Sequence, residues 1–209
     1  WFDSGVSPLF ISRYNRDANF YAKTYPNALR PQSKDIVRNW LYYSILRCYQ
    51  LTQGKPWTHT WIMGYGVDKK GERMSKSKGN VIDPIPILER YGADNFRFWN
   101  ASEGNLGSDF RCSEEKIASS SKFLTKLWNV ARFISSFPTV GEAKPTETDA
   151  WILAELSQLI GDCLRGYGDY NFFVPATRVK DFTWNLFAAH YVEMVKTKAY
   201  GRGCSEEGQ

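Results

Sequence analysis

Histidine is scarce in this 209-residue sequence: there are two, His59 and His190. That weakens any mechanism that needs a cluster of imidazoles. Cysteine is nearly as rare. Cys48, Cys112, Cys163 and Cys204 are scattered singly, with no C-x-x-C pair. Such thiols point to a reduced, cytosolic protein and to no zinc site, each serving as a small apolar filler. Long apolar runs are missing too. None approaches the ~18 residues that span a bilayer, and no signal-peptide pattern opens the chain. Charge of one sign is weakly in excess, at +5 overall. That permits an anionic partner without requiring one. There is no internal repeat, and the first residue is Trp1 rather than Met. That start suggests a fragment or a processed product.

What is present is aromatic. Eight Trp, twelve Tyr and thirteen Phe accompany a 43% hydrophobic content, enough to bury a core. Ala28-Leu29-Arg30 reads as a short strand ended by Pro31. Ser33 can cap a helix from about Asp35 to Gln53, closed by Gly54 and Pro56. Thr58 to Val67 reads as a buried strand, and Asp68 to Gly71 as a turn. This strand–helix–strand order suggests a parallel α/β sheet. After residue 82 the pattern is helical. Asp83-Pro84 opens a helix that stops at Gly92, and a second runs from about Ala93 to Ser102. Ser113 opens a long helix to about Phe137, with Ile117, Phe123, Leu124, Leu127, Trp128, Ala131 and Ile134 as its apolar stripe. Pro138 to Thr148 reads as a linker, followed by helices over 149–164 and roughly 172–199. The expected class is α/β followed by all-α.

Lys69 to Lys78 carries five basic residues against Glu72 alone. Small residues Ser75, Ser77 and Gly79 alternate with the lysines, so the loop can wrap a polyphosphate with ammonium and backbone N–H groups. Its place after a strand suits a ligand site at the strand's carboxyl end. A P-loop does not fit, because Lys76 stands where that pattern needs a second Gly. The plain alternative is a solvated Lys-rich hairpin tip.

The string Arg73-Met74-Ser75-Lys76-Ser77 resembles the KMSKS signature of the class I aminoacyl-tRNA synthetases, with Arg in place of the first Lys. The resemblance continues through Lys78-Gly79-Asn80-Val81-Ile82-Asp83-Pro84, Tyr91-Gly92-Ala93-Asp94, Asp109-Phe110-Arg111 and Lys126 to Phe133. It reaches Asp149, Trp151-Ile152-Leu153, Phe182, Trp184, Tyr191, Glu193 and Lys196, and so spans roughly residues 1–200. Leu29-Arg30-Pro31-Gln32 with Asp35-Ile36 and Trp40 is most similar to the valine-specific group of the archaeal kind.

The resemblance implies a Rossmann-type half domain with its signature loop over 1–82. It further implies a stem-contact helical region over 83–138 and the start of an anticodon-binding bundle over 139–209. It implies ATP, as its magnesium complex, with valine and tRNA as partners, no membrane, and a monomeric cytoplasmic parent. Lys76 and Arg73 would stabilise charge on the departing pyrophosphate. Met74, Ser75 and Ser77 would contribute to ATP binding. Asp35 would accept hydrogen bonds from the ribose, and Gly64 would let adenine lie on bare backbone, although Met63 stands where the family often has His. Trp1, Ile36 and Trp40 would wall the amino-acid pocket, the last two as i and i+4 on one helix face.

The second family signature, His-x-Gly-His, is not in this sequence, and neither is an editing domain. The chain by itself is therefore expected to be inactive. The alternatives are an isoleucine-type fragment, which Trp1 to Gly5 would also suit, and a stand-alone tRNA-binding module.

Overall fold

A computed structural model of the chain describes residues 2–138, 141 and 144–201. Expectations that fall on Trp1, on Cys204 and on the tail after Gly201 lie outside these residues.

Two short helices, α1 (Ser7–Ile11) and α2 (Ala18–Thr24), lead into strand β1 (Asn27–Ser33). A crossover returns the chain to β2 (Trp57–Met63), which pairs in parallel with β1, Asn27 opposite Trp57 and Ser33 opposite Met63. The strand runs through Pro31 instead of stopping there. Proline lacks an N–H, and β1 has a partner on one side only among the described residues, so Pro31 breaks no ladder bond. β2 is also less buried than its β-branched and aromatic composition suggests. Thr58, His59 and Thr60 are exposed. Composition reports the strand but not what covers it.

The crossover is irregular. A 3-10 turn (Lys34–Ile36) passes into a wide i→i+5 turn (Val37–Leu41), and only then into α3 (Tyr42–Thr52). The Asn39 carboxamide oxygen accepts the Trp40 N–H at 2.6 Å, competing with the backbone ladder. Ser33 makes no capping bond here, and the left-handed residue after α3 is Gln53, not Gly54.

β2 leads to a second parallel pair, β3 (Gly66–Val67) with β4 (Phe110–Arg111). The single long strand expected over 58–67 is thus two. The break lies at Gly64, where the Ser108–Asp109 backbone crosses. A Cβ on Gly64 would sit 2.0 Å from the Ser108 carbonyl oxygen, so only glycine fits. Between β3 and β4 lie α4 (Pro84–Tyr91) and α5 (Ala93–Glu103). Asp83 caps α4 by accepting the Ile85 N–H at 3.0 Å, and Gly92, at φ +82°, ends it. Ile87, Trp99, Cys112 and Ile117 form the core beneath this unit.

The long helix α6 (Glu114–Ser135) starts at Ser113, whose hydroxyl accepts the Lys116 N–H. Ile117 and Phe123 of the expected stripe are buried, but Leu127, Trp128 and Ile134 are exposed. Periodicity marks an apolar face; it does not supply the surface that covers it. Helix α7 (Glu147–Gly168) begins with a capping box between Thr146 and Asp149. Helix α8 (Phe173–Asp181) runs through a second wide turn (Phe182–Tyr191) into α9 (Val192–Ala199). Asp162 on α7 accepts from Arg178 on α8 at 2.7 and 3.1 Å. Tyr191 donates to Asp149 at 2.7 Å, and burial, with that carboxylate, pushes its hydroxyl up to about 12. The helical part touches the sheet through aromatics. His59 lies 5.1 Å from Tyr170, and Trp61 meets Phe172 edge-on at 5.6 Å, centroid to centroid. Among the described residues no helix is long and apolar enough to cross a membrane.

Candidate active site

The basic segment leaves β3 as a turn built on Asp68. Its carboxylate accepts the Lys70 and Glu72 N–H groups, both at 2.9 Å, and Gly71 takes φ +87°. The other carboxylate oxygen accepts from the Asn80 amide at 2.9 Å. Asn80 in turn accepts the Ser75 N–H at 2.9 Å and donates to the Arg73 carbonyl at 3.3 Å. Two side chains, Asp68 and Asn80, therefore close the loop at both ends. The Asn80 bond is also what chiefly holds the Asp68 carboxyl below the usual carboxylate range. Asp68 had a local signal, an Asp before Lys-Lys-Gly that suits an Asx turn; Asn80 had none.

Within the loop, Lys76–Lys78 form a 3-10 turn. The Ser75 hydroxyl accepts the Lys78 N–H at 3.3 Å, and Gly79 closes the turn at φ +67°. Ser77 lies 3.2 Å from Ser75, hydroxyl to hydroxyl. Met74 points inward, packing on the Ile87–Trp99 core, and its methyl lies 2.7 Å from where a Cβ on Gly66 would stand. Its side chain thus anchors the loop from the core side. The charges sort themselves. Lys69 pairs with Glu115, Lys78 with Glu72 and Arg73 with Asp35. Lys76 is exposed and has no ion-pair partner among the described residues.

Arg73 and Asp35, both expected at the site, are brought together by bonding to each other. A hydrogen bond from Ser33 and the Arg73 charge hold the Asp35 carboxyl below its ordinary value. The Arg73 guanidinium also lies over the Tyr65 ring, 4.2 Å from its centroid. Lys34 lies 4.4 Å from the same centroid and pairs with Asp109 at 2.6 Å. Asp109 also accepts the Tyr65 N–H at 2.8 Å, and these bonds keep its carboxyl low. Lys34 and Tyr65, and the pairing of Asp109 with both, escaped sequence reasoning, because no spacing rule links residues 31 to 75 positions apart. Gly64 holds its position through the crossing of Ser108–Asp109, which fills the side a Cβ would take. Its need for glycine is met by protein, independently of any ligand.

Ile36 and Trp40 are both half-buried. They do not share a regular helix face, because Ile36 ends the 3-10 turn and Trp40 lies in the wide turn. The Trp40 indole donates to the Ser4 carbonyl at 3.3 Å, and one face is covered by the Arg30 guanidinium at 3.5 Å. His59 and His190, set aside as catalytic groups, lie apart from the loop, His59 in β2 and His190 in the wide turn before α9. On the helical side, a groove of about 680 Å³ between α6 and α9 is lined by Lys122, Lys126 and Lys196 among others. Among the described residues no three His, Cys, Asp or Glu side chains gather into a metal site.

Residues 1–113 match the family of class I tRNA synthetases for I, L, M and V, which covers more than half of the chain. The chain belongs to this family. Residues 149–207 match the anticodon-binding domain of tRNA ligases. As a class I synthetase segment, the chain is 48% identical over 97% of its length to the valine–tRNA ligase of Aeropyrum pernix. It is 44% identical over 97% to that of Pyrobaculum aerophilum. It spans 25% and 26% of those proteins, so about a quarter of the relatives it matches. The fold of the family is repeated in solved structures. A LeuRS–tRNA–LeuAMS complex from Agrobacterium radiobacter superposes with a TM-score of 0.74 at 17% identity, covering 92% of this chain and 27% of that one. A methionyl-tRNA synthetase of Mycobacterium tuberculosis in complex with methionyl-adenylate gives 0.67 at 22% identity, covering 95% and 40%.

Proposed function

We propose that this segment is the signature-loop half of a valine-activating catalytic domain, with its stem-contact helices and the opening of its anticodon-binding bundle. The divisions are 1–82, 83–138 and 139–209. The parent reaction is ATP plus valine to valyl-adenylate and pyrophosphate, followed by acyl transfer to tRNA. Valine rests on the relatives' names.

The observation that carries this reading is the distribution of charge in the loop. Lys69, Arg73 and Lys78 each pair with an acid, whereas Lys76, and Lys70 at the Asp68 turn, stand exposed without an ion pair among the described residues, and of these two only Lys76 lies in the signature itself. A cation kept free on a loop tied by Asp68 and Asn80 is poised for an anion that arrives from outside. Such a charge acts on the departing pyrophosphate, where an oriented electrostatic contact contributes about 3–4 kcal/mol. Lysine suits a leaving group that moves, because its ammonium acts as a point charge. Arg73 joins it once Asp35 turns to the ribose hydroxyls, since one carboxylate cannot fully serve both. Ser75 and Ser77 offer hydroxyls to the phosphates, and the remaining face of Gly64 receives the adenine. ATP enters as its magnesium complex, the ion neutralising phosphate charge. Ile36 and the uncovered face of Trp40 wall the amino-acid pocket. The lysine-lined groove between α6 and α9 suits a nucleic-acid backbone, which supports tRNA as partner.

Pyrophosphate exchange by the full-length enzyme, with valine and isoleucine in turn, tests the reading. A preference for valine is expected. A preference for isoleucine reassigns the substrate, and no exchange with either leaves only a tRNA-binding module.

A further inference from the structure

Arg30 is a misfit by the rules of protein interiors. It lies on the inward face of β1 and is only 9% exposed. Among the described residues it has no acidic partner. Its Nη1 donates to the Ser7 hydroxyl at 3.3 Å, while Nε and Nη2 are buried with no hydrogen-bond partner. Burial pulls its pKa down from the usual arginine value, yet a guanidinium stays charged in any protein. A buried, unpaired cation works against folding, and an apolar residue of similar volume would serve the core at least as well. What the guanidinium does have is aromatic. Its Cζ lies 3.5 Å from the centroid of Trp40 and 5.3 Å from that of Trp57. Desolvation strengthens contacts of this kind.

Trp40 is thereby held from three directions. Arg30 covers one face, the Ser4 carbonyl takes the indole N–H, and Asn39 takes the backbone N–H. The wide turn takes Trp40 out of the regular i→i+4 helical ladder. The indole therefore depends on side-chain contacts for its orientation. Residues that break folding rules at a site are expected where function needs them.

We propose that Arg30 is a positioning residue for amino-acid selection: it stacks on the back of Trp40 and keeps the indole from yielding. The inference rests on the reading of Trp40 as a pocket wall. A wall that cannot yield excludes a side chain larger by one methylene. It does nothing against an isostere of valine. Arg30 thus sets the discrimination against isoleucine and leaves that against threonine alone.

The test measures kcat and KM for pyrophosphate exchange with valine, isoleucine and threonine in the full-length enzyme. Arg30→Met should lower the valine-to-isoleucine ratio of kcat/KM by about tenfold, through a lower KM for isoleucine. The valine-to-threonine ratio and kcat for valine should hold. Arg30→Lys keeps charge and stem but not the planar stack, so it should behave like Arg30→Met. It also supplies the result if Arg30→Met does not fold. A proportional loss with all three amino acids, or unchanged ratios in a folded Arg30→Lys enzyme, overturns the proposal. Trp40→Ala separates the two layers. If it also leaves the isoleucine ratio unchanged, Trp40 is no wall and the underlying reading fails. If it shifts the ratio while the Arg30 variants do not, the positioning role alone fails.

Discussion

The loop of residues 68–80 and the turn that carries Trp40 are held by opposite means. The loop lies in solvent and is tied by polar bonds to its own backbone, through Asp68 and Asn80. The Trp40 turn is packed, with a buried guanidinium against the indole and few polar ties. Polar ties among exposed groups are individually weak, so the loop can open and reform at small cost. Packing resists displacement because interiors tolerate little change of volume. The contrast suits two tasks. Under the proposed function the loop follows a departing pyrophosphate, and the wall at Trp40 measures a side chain. The two regions meet at Tyr65, clamped between Arg73 from the loop and Lys34 from the crossover.

Substitutions can break this contrast at different depths. Gly64→Ala should have the largest effect, because its Cβ would press on the Ser108 backbone. Overpacking of that kind costs about 1–3 kcal/mol or somewhat more, read as a clear fall in Tm. The loop and the Trp40 turn should suffer together. Asn80→Ala should act on the loop alone. It removes the bonds to Ser75, Asp68 and Arg73, worth about 1–2 kcal/mol of local stability. Faster tryptic cleavage at Lys76 and Lys78 should report it, with Tm nearly unchanged. Equal cleavage rates would show that Asn80 does not organise the loop.

The smallest effect is expected for Asp35→Asn, since the pair with Arg73 is partly exposed, and such pairs contribute about 0–1 kcal/mol. Its signature is in pH. The Ser33 bond and Arg73 lower the Asp35 pKa on folding. Its contribution is therefore complete above the unfolded value, about 3.9, and is lost as pH falls through a still lower value. Acid should loosen the backbone around Arg73 in the wild type, read at low pH as faster amide hydrogen exchange after correction for the intrinsic rate, but not in Asp35→Asn. Identical pH dependence in the two would remove the tie between loop and crossover.

The sequence announces this contrast only on the local side. Asp83-Pro84, Gly92 and Ser113 mark helix ends that the structure places within a residue or two, because a cap is a bargain among neighbours. The basic loop is visible for the same reason. What the chain hides is pairing at a distance. Lys34 and Asp109 stand 75 positions apart, Arg73 and Asp35 38 apart. The strand through Pro31 follows from an open sheet edge and the break at Gly64 from the Ser108–Asp109 crossing, neither of which local pattern names. Exposure misleads equally: Leu127, Trp128 and Ile134 read as core and stand in solvent.

In the proposed function Lys76 is a free cation of the signature loop placed to meet the leaving pyrophosphate. Single-turnover formation of valyl-adenylate by the full-length Lys76→Ala enzyme tests this most directly. The rate should fall by about 10²–10³-fold while the affinity for valine changes little, the pattern of a contact made only in the transition state. A raised KM for valine or ATP with an unchanged rate, or no change in either, would contradict it.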